Sequence, residues 1–157
     1  MSPVLQWHDA VDGEGETVIV SHIDPDGRST IAAADGFHAL GRGDTVLARE
    51  KFTEAGKILE DGAARTESAP EKNLLRFLAA SQYYHGGNYQ RAIRIVQRTK
   101  PKYLSESDRE KFEAFRKDVE ERADAGYAKR IREAVVARWT MGEAELAIKL
   151  LQLHPYV

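Results

Sequence analysis

The stretch Ala80-Ser81-Gln82-Tyr83-Tyr84-His85-Gly86-Gly87-Asn88-Tyr89-Gln90-Arg91-Ala92-Ile93 decides the fold. Apolar and small residues stand at helical spacing on both sides of a glycine-rich break. Gly87 lets the chain reverse tightly, because glycine has no Cβ to clash. Ala92 is small where two helices cross, and the tyrosines fill the space between them. Val96 and Thr99 follow in the second helix. A pair of helices joined by a short turn is the unit.

Outward from this pair, the helical period runs from Arg28 to the end. Residues 31–40 form a first helix, broken by Gly41-Arg42-Gly43. Asp44 suits an N-cap, since its carboxylate can accept from free amides of the next turn. Leu47, Ala48, Phe52, Ala55 and Leu59 then mark one inward face, and Gly62 is expected to stop that helix. Ser68-Ala69-Pro70-Glu71 reads as a helix start, with a capping serine and a glutamate three residues on. Leu74, Leu75, Leu78 and Ala79 follow, and Pro101 ends the helix after the Gly86-Gly87 turn. Ser107-Asp108-Arg109-Glu110 reads as another capping box, opening a charged helix with a narrow stripe of Phe112, Phe115, Val119 and Ala123. Gly126 is expected to interrupt it. Further helices cover residues 128–139 and 144–153, giving seven in all.

The N-terminal segment reads differently. Thr17-Val18-Ile19-Val20 is β-branched throughout, and Asp12-Gly13-Glu14-Gly15 is turn chemistry, so a hairpin is expected over residues 4–23. Asp24-Pro25-Asp26-Gly27 follows as a β-turn. The expected division is an extended hairpin segment at 1–28 and a helical repeat domain at 29–157.

The helix pair at 80–96 resembles the tetratricopeptide repeat family through Ala80, Tyr83, Gly87, Tyr89, Ala92 and Val96. A first copy fits with Gly36, Gly43, Ala48, Phe52 and Ala55. A third fits with Val135, Arg138, Gly142, Ala147 and Leu151. The family's period is about 34 residues. Here Ala48 to Ala92 is 44 and Ala92 to Ala147 is 55, so a loop and the charged helix absorb the excess. The resemblance covers roughly residues 29–153. It implies a mainly α fold, a right-handed superhelix of three antiparallel helix pairs plus one extra charged helix, beside the N-terminal hairpin.

The resemblance also implies an adaptor that holds a peptide or partner domain in a concave groove. That groove would display Phe37 from the first pair, Phe77, Ser81, Tyr84 and His85 from the second, and Lys129, Arg132 and Trp139 from the third. The positions used by some members to clamp a terminal carboxylate hold Ala33, Phe37 and Leu78, so that clamp is not implied. An extended peptide with an apolar anchor and an acidic residue would suit the groove. Each of these aromatics taken singly more often serves a core, and the N-terminal hairpin with Trp7 could itself fill the groove.

Charge offers an alternative. Residues 1–71 carry 14 acids and 6 bases, a balance of −8; residues 72–105 carry 7 bases and no acid, a balance of +7; residues 106–157 carry 11 acids and 10 bases, a balance of −1. Arg91, Arg94 and Arg98 line one face of a helix, near Lys100 and Lys102, and could hold a polyanion or an acidic partner. The overall pI of about 6.2 disfavours nucleic acid. The opposed −8 and +7 regions make self-association a further expectation.

Catalytic chemistry is sparse. The absence of cysteine rules out disulfides and thiolate sites. No histidine has a second ligand at helical spacing, so no metal or cofactor is expected. Val18-Ile19-Val20-Ser21-His22-Ile23-Asp24-Pro25-Asp26-Gly27-Arg28 resembles the first motif of the DHH phosphoesterases, but Arg28 replaces the final aspartate and no Asp-His-His follows. A degenerate phosphoesterase is thus only a remote alternative to a non-enzymatic module. The start lacks a signal-peptide pattern and no apolar run would span a membrane, so a cytoplasmic setting is expected.

Overall fold

The computed structural model describes residues 22–153, apart from the side chain of Tyr127. The expected hairpin at 4–23 lies almost wholly outside these residues. Among them the chain is all helical: α1 (Arg28–Gly41), α2 (Thr45–Arg65), α3 (Ala69–His85), α4 (Tyr89–Arg98), α5 (Glu106–Thr140) and α6 (Ala144–Leu153), with a 3₁₀ turn at Pro101–Tyr103. No helix among the described residues is long and apolar enough to cross a membrane. The chain divides into two compact units, Met1–Val119 and Glu120–Val157.

One turn geometry recurs three times. Gly43, Gly87 and Gly142 each adopt positive φ, at 76°, 79° and 79°. The amide after each glycine closes back on the preceding helix: Asp44 N on Ala39 O at 2.9 Å, Asn88 N on Tyr83 O at 2.8 Å, and Glu143 N on Arg138 O at 2.8 Å. This is the six-to-one bond of a Schellman ending, which satisfies carbonyls the helix leaves open. Asp44 and Asn88 then cap the next helix through their side chains. Four residues after each cap stands an alanine, Ala48, Ala92 or Ala147, at most 1% exposed.

In the first unit α3 is central, with eleven buried residues. Its surroundings are α2, α4 and the first turns of α5, whose Phe112, Phe115 and Val119 join the same core. A smaller cluster of Ala39, Ala48 and Phe52 ties α1 to α2. Glycines set the closeness of approach. A Cβ on Gly36 would stand 2.8 Å from the Phe52 ring, and one on Gly56 would stand 2.8 Å from the Tyr83 ring. Each glycine costs α1 or α2 about 1 kcal/mol of helix propensity, which ring packing against bare backbone offsets.

Three boundaries depart from the sequence reading. Gly62 does not stop α2, which continues to Arg65. It is buried instead, and a Cβ there would run into the Ile23 side chain. Gly126 does not divide the charged segment, so two expected helices are the single α5. A mid-helix glycine costs only about 1 kcal/mol relative to alanine, too little to break a helix rich in good helix formers. The cap of α5 is Ser105, whose Oγ accepts from Asp108 N at 3.2 Å, rather than Ser107.

The turn at residues 24–27 forms as expected, with Gly27 N donating to Asp24 O at 3.0 Å. The Asp24 carboxylate then caps α1, accepting from Arg28 N at 3.1 Å, Ser29 N at 2.7 Å and Ser29 Oγ at 2.6 Å. Burial opposes its charge, but the Ser29 and Arg28 hydrogen bonds outweigh that and hold its carboxyl below the usual range.

Candidate interaction surfaces

The expected groove is largely core. Phe77 is 1% exposed and sits between Phe112 and Phe115, with ring centroids 5.4 and 5.6 Å away. Ser81 is fully buried, and its hydroxyl donates to Leu78 O at 2.6 Å. Tyr84 packs on Phe115, and its hydroxyl donates to the Asp118 carboxylate. These three side chains therefore do not face a ligand. The start of α5 occupies the face they would have presented, because its Phe112, Phe115 and Val119 stripe needs an apolar partner. Phe37, at 36% exposure, and His85, half-buried, lie together against Phe52. Lys129, Arg132 and Trp139 belong to the second unit and are exposed there; Lys129 pairs with Glu133 at 3.9 Å.

The basic face is built more fully. One turn of α4 separates Arg91, Arg94 and Arg98, and they project over the edge of α2. Together with Glu60, Ile95 and Gln97 they line an open depression of about 420 Å³. Glu60 is its organising group. Its Oε1 accepts from Tyr83 Oη at 2.8 Å and from Arg91 Nη2 at 3.0 Å, and its Oε2 lies 3.5 Å from Arg98. The hydrogen bonds and charge of Glu60 raise the Arg91 pKa. Burial first, then the Glu60 hydrogen bond and charge, push the Tyr83 hydroxyl well above the ordinary phenol range. Tyr83 is thus a neutral donor that fixes the carboxylate.

Arg91 is committed to Glu60 through its Nε and Nη2. Arg94 and Arg98 are exposed, and Arg94 Nε donates to Gln90 O at 3.3 Å. Arg76 approaches from α3, with Nη1 donating to Arg98 O at 3.1 Å. Arg91 and Arg98 thus pair with one carboxylate, and Arg94 lines the same depression. Lys100 is held at its backbone, where its N–H donates to Asn73 Oδ1 at 2.7 Å. Lys102 stands 5.0 Å from the Tyr103 ring centroid, at the far end of the stripe. Such a surface can bind carboxylates or phosphates through guanidinium forks.

The sequence reading missed Glu60, Arg76 and Gln97. Glu60 lies 31 residues before Arg91, and no local pattern links the two. Asp24 and Asp26 stand at the α1 turn, where Asp24 serves as a cap. Comparison with protein families, with curated proteins and with solved structures finds no match for this chain.

Proposed function

We propose that this chain is a non-enzymatic interaction module of tetratricopeptide-like helix pairs, and that it holds an acidic segment of a partner protein on the arginine face of α4. The repeated glycine turn, followed each time by a buried alanine, supports the repeat reading. The unequal spacings of 44 and 55 residues make it a divergent member. A cytoplasmic adaptor or scaffold is the role this implies.

The observation that carries the binding reading is the depression that Arg91, Arg94 and Arg98 line around Glu60. The single carboxylate is shared by Tyr83, Arg91 and Arg98, so the three guanidiniums of the depression, Arg94 and Arg98 exposed among them, carry excess positive charge. Carboxylates match their fork geometry. Nucleic acid fits less well, since the cationic area is confined and the chain as a whole carries −2.

The test is calorimetric titration with a Glu/Asp-rich peptide at 50 and 300 mM salt. Binding should weaken with salt, and Arg94→Glu/Arg98→Glu should reduce affinity by about 30-fold or more. Binding that survives the double variant at low salt would sink this assignment. A second reading, an apolar peptide on the aromatic surface of the first unit, keeps the exposed Phe37. A partner captured from extract that is lost with Phe37→Ala, and retained in high salt, would favour it.

A further inference from the structure

The described residues start close to the arginine face. Ile23 packs against Gly62 of α2, two residues along from Glu60. His22 lines a depression with Arg65, Thr66, Glu67 and Glu71 at the corner of α2 and α3. Residues two apart on a helix point to nearly opposite flanks, so the way from His22 to the arginines runs about 20 Å around a helix ~10–12 Å across. Residues 1–21 contain four acids, Asp9, Asp12, Glu14 and Glu16, and no lysine or arginine. At ~3.3–3.6 Å per residue, Glu16 reaches about 20 Å from His22 and Asp12 about 34 Å. The acids therefore span the way to the arginine face. The nearer depression does not suit them, because Glu67 and Glu71 repel carboxylates.

The spacing of these acids also matches the face. Asp12-Gly13-Glu14-Gly15-Glu16 alternates acid and glycine. In an extended chain alternate residues share one side, about 6.6 Å apart. The intervening glycines carry no side chain, and although they suit a turn they equally permit an extended run. Arg91, Arg94 and Arg98 follow one another at about 4.5 and 6 Å of helical rise along α4. Three carboxylates on one side of the segment thus come opposite three guanidiniums on one face of the helix. Three arginines against the one Glu60 leave an excess of two positive charges for them. Tethering adds to the attraction, since a short linker holds a segment at an effective concentration of about millimolar.

We propose that the acidic stretch 12–16 docks on the arginine face of α4 within the same molecule, and that an acidic partner binds by displacing it; this deepens the reading of that face as the binding surface and rests on it. In the cysteine-free full chain, spin labels at Gly13→Cys and Gln97→Cys should give one short distance by pulsed dipolar spectroscopy at low salt. That distance should persist when the labelled chain is diluted with excess unlabelled chain, as contact within one molecule requires. It should lengthen and broaden with Arg94→Glu/Arg98→Glu, and return when Asp12→Lys/Glu14→Lys/Glu16→Lys is added to that variant. In calorimetric titration with the Glu/Asp-rich peptide, Asp12→Asn/Glu14→Gln/Glu16→Gln should bind about 10-fold more tightly than the wild type at low salt, and high salt should shrink the difference. Equal peptide affinity in the two proteins, or a label distance that Arg94→Glu/Arg98→Glu leaves unchanged, would overturn the proposal while leaving the arginine face as a binding surface. Loss of the short distance on dilution would also overturn it, by placing a second copy's segment on the face. A peptide that binds neither protein would overturn the arginine face itself, and the docking with it.

Discussion

Replacing Glu60 tests stability and binding in opposite directions. Tyr83 is 1% exposed and its hydroxyl is 2.8 Å from Glu60 Oε1. A buried hydrogen bond to a charged acceptor contributes about 1.5–3 kcal/mol. The Arg91 fork is partly exposed, at 43% of its side chain, so solvent screening limits it to about 0.5–1 kcal/mol. Glu60→Gln keeps an oxygen for Tyr83 but loses the charge, so roughly half of the combined effect should remain. We expect a loss of about 1–2 kcal/mol in urea denaturation followed by circular dichroism, and a melting temperature lowered by about 3–6 °C. The double-mutant cycle with Tyr83→Phe should give a coupling near 1 kcal/mol. Affinity for an acidic peptide should meanwhile rise roughly fivefold at low salt, since about 1 kcal/mol of local repulsion is removed. Stability unchanged within about 0.5 kcal/mol would refute the buried-anchor reasoning. Unchanged peptide affinity would refute the arginine face.

The two glycines at 56 and 126 should respond oppositely to alanine. Gly56→Ala gains about 1 kcal/mol of propensity but drives a methyl into the Tyr83 ring, for a net loss of about 1–2 kcal/mol by urea denaturation. At Gly126 the nearest foreign atom to an added Cβ is the mobile end of Arg130 at 3.8 Å, so alanine should stabilise by up to about 1 kcal/mol. Phe115→Ala should cost about 3–5 kcal/mol, because the ring is fully buried against Phe77 and Tyr84; Trp139→Ala should cost under about 0.5 kcal/mol in monomeric chain. Asp24→Asn should lower stability at pH 7 by about 1 kcal/mol. The folded-state pKa of Asp24 is depressed, so its contribution is present above the unfolded value near 3.9 and is lost as pH falls through the folded one. Denaturation of wild type and variant should therefore converge below about pH 4.

Some of this was legible because it is local. The helix ends at Gly43, Gly87 and Gly142 are set by φ within four residues, and the alanines after them by a fixed helical offset. Caps such as Asp44 and Ser68 depend only on neighbours three residues away. Gly62 and Gly126 misled for a shared reason. A glycine in a helical pattern reads as a stop, yet its propensity cost is small enough for tertiary packing or good neighbours to override.

The sequence by itself determined that the described chain is helical and where most of its helices turn, because those depend on short-range sterics and periodicity. It also placed the arginines on one face of α4, since i, i+3 and i+7 spacing is intrinsic to a helix. Only the tertiary structure decided which aromatics are covered. Phe77 and Tyr84 have the same helical spacing whether they line a groove or a core, and the choice belongs to Phe112 and Phe115, about 30 residues further on. The tertiary structure likewise brought Glu60 beneath Arg91. Long-range charge pairing leaves no period in a sequence, because it follows from which helix faces meet.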